Sequence, residues 1–175
     1  MYNVHITLRI PKPPYISVRK FREIMKRNHA RLARGWHQHM LPQHFTQPAA
    51  GGGKYGYAMR DPKYVAAKRE LAQRQRRGKP RVVDGGRFAL VKSGDTRRQA
   101  MLAPEVKAYP TRARLTLFVP IYASMRPRPG AAPNLGKELV KVTAAESRIL
   151  QKQMAKRVWR EFHAARSEKR KTVKV

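Results

Sequence analysis

Residues 41–98 run LPQHFTQPAAGGGKYGYAMRDPKYVAAKRELAQRQRRGKPRVVDGGRFALVKSGDTRR. Leu41-Pro42 and His44-Phe45 lead to a break at Gly51-Gly52-Gly53, and Lys54-Tyr55-Gly56-Tyr57 follows it. Arg60-Asp61-Pro62 then opens a basic helix carrying Tyr64 and Lys68, with Asp61 as N-cap and Pro62 at the first helical position. Gly78 and Pro80 stop that helix. Arg87–Lys92 reads as a short strand, Ser93-Gly94-Asp95 as a turn, and Thr96–Leu102 has a period that fits either a further strand or a short helix. The order is loop, helix, turn, strand, turn. It is a structural cassette, and no catalytic template fits it.

Outward from the cassette, two periodicities frame the chain. Val4, Ile6, Leu8 and Ile10 alternate with polar residues, which predicts a half-buried strand ended by Pro11, Pro13 and Pro14. A strand so placed either pairs within its own subunit, the default, or adds to a neighbour's sheet. Ser17–Met40 has helical spacing: Val18, Phe21, Ile24, Met25, Leu32 and Trp36 form the stripe, with Ala30 and Ala33 as fillers and Ser17 as N-cap. Its other face carries Arg19, Lys20, Arg22, Lys26, Arg27, Arg31 and Arg34 against a single Glu23, and fits a solvated surface and a partner contact equally well.

Downstream, Arg112–Pro120 is the clearest strand, with Ala113, Leu115, Leu117 and Val119 on one side, and it extends toward Ile121-Tyr122 as an edge. Thr143-Ala-Ala-Glu146 is a capping box. The helix behind it reaches about Ala165 on a stripe of Ile149, Leu150, Met154, Val158, Trp159 and Phe162. These patterns predict one α+β domain over residues 1–175: a small, mostly antiparallel sheet packed by two long helices, with extended basic loops and arms. Residues 46–54 and 126–136 read as flexible segments and 167–175 as a basic tail.

Charge narrows the function. The chain has 40 Lys+Arg against 10 Asp+Glu, a formal charge of +30, with 41% hydrophobic residues. The cations are spread along the whole length, so a free monomer repels itself and an anionic partner is expected, either nucleic acid or an acidic protein surface. No apolar run approaches the roughly 20 residues of a membrane span, and no signal peptide is read at the N-terminus. There is no cysteine, which excludes disulfides, thiolate zinc sites and Cys nucleophiles.

Four local patterns bear on chemistry, and none has the spacing or context it needs. His37 and His39 are two apart and face different ways on a helix, with His44 beyond Pro42, so they read as a helix end entering a turn and not as a metal site. The Gly51–Gly53 run before Lys54 lacks the phosphate-loop pattern, since Tyr55 follows the lysine. The ten carboxylates are scattered, and Ser93-Gly94 lacks the nucleophile-elbow context. No enzyme and no cofactor are expected. Tyr55 and Tyr57 among cations fit base stacking, and fit protein packing better.

The cassette Leu41-Pro42, His44-Phe45, Lys54-Tyr55-Gly56-Tyr57, Arg60, Tyr64, Lys68, Gly78, Leu90-Val91, Ser93-Gly94 and Thr96-Arg97 resembles one seen in tailed-bacteriophage neck, or head-tail connector and tail-completion, proteins. Lys79–Phe88 lengthens the run before Leu90-Val91, and Ala89 stands where the family pattern has proline. The resemblance implies an α+β subunit of a homo-oligomeric ring in the virion, assembled in the bacterial cytoplasm. Its partners would be portal, adaptor, neck or tail proteins with acidic surfaces, and contact with DNA is left open. Interface candidates are Tyr55, Tyr57, Arg60, Tyr64, Lys68, Arg97 and Arg98, which combine aromatic anchors and cations on a segment too polar to be core. The rival reading is a nucleic-acid-binding structural protein such as a ribosome-type RNA binder.

Overall fold

The structure, a computed structural model, describes residues 2–7, 10–73, 90, 95–119 and 135–172. Three strands, β1 (Tyr2–Thr7), β2 (Glu105–Ala108) and β3 (Arg112–Leu117), form an antiparallel sheet in the order β1-β3-β2. The helices in chain order are α1 (Val18–His39), α2 (Leu41–His44), α3 (Pro62–Gln73), α4 (Asp95–Ala100), α5 (Leu135–Leu139) and α6 (Ala144–Thr172). The expected α+β class is what forms, with α1 and α6 as the long helices packed against the sheet. Apart from Leu90, which is buried at a turn, the strand expected at Arg87–Lys92 lies outside the described residues, as do the stop at Gly78–Pro80 and the segment 126–134.

Local sequence explains the element starts. The Ser17 hydroxyl accepts the Lys20 amide N–H at 3.2 Å, capping α1, and the Asp61 carboxylate accepts the Lys63 amide at 2.8 Å, capping α3. In β1, Val4 and Ile6 are buried while His5 and Thr7 face out, as the alternation requires. β3, central in the sheet, buries Ala113, Leu115 and Leu117 completely. Thr116 on its other side gives its hydroxyl to the Asn3 side-chain oxygen of β1 at 3.0 Å. Tyr109 donates its N–H to the Arg112 carbonyl at 2.7 Å, closing the hairpin from β2 to β3. β2, α2 and α5 are too short to carry a periodic signal and had no counterpart in the sequence reading.

The described residues group into two compact units. The first comprises Met1–Asn3, His37–Pro104 and Thr116–Thr143. Its interior holds Leu41, Phe45, Tyr55, Tyr57, Ala100, Leu117 and Leu139, all buried. The run from Gln47 to Gly53, expected to be a flexible linker, leads into a hairpin turn over Gly52–Tyr57. Gly52 and Tyr57 exchange both backbone hydrogen bonds, at 2.8 and 2.9 Å, and the Gln47 side chain ties Lys54 N to the Gln43 carbonyl. Gly51 has a φ of 98°, and a Cβ there would lie 2.3 Å from the Ala58 carbonyl oxygen, so the turn requires glycine. At Gly136 in α5 the Tyr2 ring lies where a Cβ would stand, so a larger residue there would displace that ring.

The second unit comprises Val4–Trp36, Glu105–Leu115 and Ala144–Val175. Here α1 buries Ile24, Met25, Asn28, His29, Leu32, Ala33 and Trp36, a row at three-four spacing, and α6 buries Leu150, Met154, Val158 and Phe162, a row at spacing four. Phe21 and Phe162 meet with ring centroids 5.8 Å apart. Glu161 of α6 accepts from Asn28 and Arg31 of α1, each at 3.1 Å, and also pairs with Arg27. Arg166 lies over the Tyr15 ring at 5.4 Å. Two expectations change here. Val18, Ile149 and Trp159, read as core, are exposed, because strict i, i+4 spacing from Leu150 leaves Ile149 and Trp159 off the buried row. The helix expected to end near Ala165 continues to Thr172, through most of the stretch read as a tail.

Candidate interaction surface

The cassette's own residues gather in the first unit, and most of them are inside it. His44 stacks on Tyr55 with centroids 3.8 Å apart and shares a 2.7 Å hydrogen bond with the Tyr57 hydroxyl. The Tyr55 hydroxyl donates to the Met40 carbonyl at 3.4 Å, and Lys54 sits over the Tyr55 ring at 5.2 Å. His37 gives its Nε2–H to the Ala100 carbonyl at 2.9 Å, the carbonyl fixing that nitrogen as the donor. His44 is therefore held by an aromatic ring and a phenol and His37 by a backbone carbonyl, while His39 is exposed. Among the described residues no group of three or more His, Asp or Glu side chains is placed to hold a metal ion.

Arg60 is the clearest departure from the sequence reading. Its guanidinium donates to the Ala58 carbonyl at 2.8 Å and to Glu138 Oε1 at 3.0 Å, and a second nitrogen meets Glu138 Oε2. Glu138 also accepts the Ala58 amide at 3.1 Å. Both side chains are more than nine-tenths buried, so this is a two-point pair of the kind arginine makes with carboxylate. Lys68 is buried as well. Four of the seven interface candidates, Tyr55, Tyr57, Arg60 and Lys68, are thus interior, since partners distant in sequence turn a polar segment into packed structure. Tyr64 on α3 is 46% exposed, and Arg97 and Arg98 on α4 are exposed, Arg98 pairing with Asp95.

What lies at the surface instead is unmatched positive charge. Ten carboxylates less Asp84 and Glu168, whose side chains are outside the described set, leave eight. Every one of the eight is engaged within the chain. Glu23 pairs with Arg19, Asp95 with Arg98, Glu105 with Lys107, Glu138 with Arg60, and Glu161 with Arg27 and Arg31. Asp61 caps α3, and Glu70 and Glu146 also have partners. Arg22, Lys26 and Arg34 on α1, and Arg148, Lys152, Lys156 and Arg160 on α6, are exposed and make no ion pair among the described residues. The sequence reading treated α1's cations as a candidate face and passed over α6's, although their i, i+4 spacing was visible. Counting Ile149 and Trp159 as core concealed that side of the helix.

Among the described residues no helix is long and apolar enough to cross a membrane. No protein-family model, curated protein or solved structure matches the chain.

Proposed function

We propose that the chain is a non-enzymatic structural subunit of a tailed-phage virion, one copy in a neck ring that joins the head, through portal or adaptor, to the tail. The observation that carries this reading is the charge arrangement. The described carboxylates are all engaged inside the chain, whereas cations on α1 and α6 are exposed and unmatched. With +30 formal charge and every described carboxylate already engaged, the chain calls for anionic neighbours, and acidic faces of adjoining neck, portal or tail subunits would supply them for the cations of α1. The cassette supports the same role. Its aromatic rings and its Arg60–Glu138 pair build an interior, which suits a sequence that specifies architecture. The engagement of the carboxylates in caps and ion pairs also leaves them poorly suited to acid–base catalysis.

Native mass spectrometry of nuclease-treated protein, alone and with a portal–adaptor complex, tests the reading. A ring-sized oligomer, or stoichiometric addition to the adaptor, is the expected result. A monomer that ignores the adaptor and shifts with added RNA would overturn it in favour of an RNA-binding structural protein.

A further inference from the structure

We propose that the outward face of α6 binds double-stranded DNA, the helix lying along a groove with its cations on the phosphates. The proposal goes beyond ring assembly and stands on α6 itself.

Arg148, Lys152, Lys156 and Arg160 are spaced i, i+4 and are all exposed. At 1.5 Å rise per residue the row advances about 6 Å per step and about 18 Å in all. Phosphates advance about 3.4 Å per nucleotide along each strand of a duplex, so the row spans about five of them. No Asp or Glu occurs between Ser147 and Arg160. The carboxylates that bracket this run face away from it: Glu146 is buried, and Glu161 is held by α1. The row is therefore uninterrupted by negative charge.

Two apolar side chains flank it. Ile149 is 48% exposed and Trp159 46%. At 100° per residue they fall on opposite sides of the diagonal row of cations. Against DNA, apolar side chains lie on sugars and on thymine methyl groups.

The shape selects the duplex. A helix about 10–12 Å across is convex, and a major groove about 12 Å wide admits it. Single strands are taken by concave channels in which several aromatic rings stack successive bases, and α6 presents one such ring. For the α6 row, unlike the arginine-rich face of α1, an acidic protein is the poorer fit, because two of its four cations are lysines, which are depleted from protein–protein interfaces, whereas Lys and Arg are the usual phosphate contacts.

The test uses the full chain, freed of nucleic acid, titrated with a 20-base-pair duplex at several salt concentrations and followed by tryptophan fluorescence. Trp36 is fully buried and Trp159 half exposed, so a change on binding reports α6. Saturating duplex should alter the Trp159 signal, and Trp159→Phe should abolish the change. Replacing Arg148, Lys152, Lys156 and Arg160 together by Gln should lower the slope of log Kobs against log salt by about 3–4, at about 0.9 per phosphate contact. A matched control replaces Arg22, Lys26, Arg34 and Lys63, removing the same charge elsewhere, and should change the slope by less than half as much. Equal losses for the two quadruple variants would mean that bulk charge alone binds DNA, and would overturn the proposal. So would an unmoved Trp159 signal at saturation, which needs no variant, or displacement of the duplex by single strands or poly-glutamate at equal charge concentration. Mass spectrometry reads ring formation separately, so either proposal can fail alone.

Discussion

Arg60 and Arg160 are the same residue type in opposite circumstances. Arg60 is enclosed by Glu138 and the Ala58 carbonyl. Arg160 stands in water on α6 with no ion pair among the described residues. The difference separates two kinds of cation in this chain. Where the fold brings a carboxylate to it, the cation is a piece of architecture. Where the fold brings none among the described residues, the cation faces solvent, and the proposed partners are what would match it.

The sharpest way to break this contrast is to remove the carboxylate. Glu138→Ala leaves the Arg60 guanidinium buried without its counter-charge and should cost about 3–5 kcal/mol in urea unfolding. Arg160→Ala, at an exposed position, should stay within ~0.5 kcal/mol. Similar losses for both would mean that water reaches Arg60 and that the two sites do not differ in kind.

The same comparison runs along α6 between neighbouring aromatics. Phe162 is fully buried against Phe21, while Trp159 touches Phe162 edge-on with centroids 5.7 Å apart and is otherwise half exposed. Phe162→Ala should cost about 3–5 kcal/mol. Trp159→Ala should lose clearly less stability in the same denaturant series, its effect falling on binding. If Trp159→Ala proved the more damaging, its ring would belong to the core after all.

A smaller effect concerns His29 on α1, fully buried, with Nδ1–H donated to the Met25 carbonyl at 3.0 Å. Burial lowers its pKa from 6.5, and the hydrogen bond to Met25 opposes that shift only in part. Well above pH 6.5 the ring is neutral whether the chain is folded or unfolded. Below it the unfolded chain takes up a proton that the folded chain refuses, so stability falls until the lowered folded pKa is passed. Denaturation midpoints of the wild type should therefore drop more between pH 7.5 and pH 5 than those of His29→Gln. Parallel curves would show that His29 is not the group responsible.

Much of the frame was legible because its signals are local. The caps at Ser17 and Asp61 act within three residues, and the alternation of Val4 with Ile6, or of Ala113 with Leu115 and Leu117, is fixed by the pleat. The candidate site was less legible because its logic is not local. Arg60 is interior only because Glu138, 78 positions away, folds against it. The glycine run looks like a linker until Gln47 and Tyr57 tie it into a turn. On α6, apolar residues adjacent to the buried row are hard to separate from the row itself, and Ile149 and Trp159 were assigned to the wrong side for that reason. The cations between them then went unnoticed.

The most direct test of the central claim, that the surface charge is left unmatched by the chain itself, is unfolding free energy as a function of ionic strength, without any partner. Unmatched cations repel one another, and salt screens that repulsion over a Debye length of about 10 Å at 0.1 M. The account predicts that nuclease-treated protein becomes more stable as sodium chloride rises from low salt toward 0.5 M. A loss of stability over the same range would mean that the surface cations already hold the fold together through ion pairs, and would contradict it.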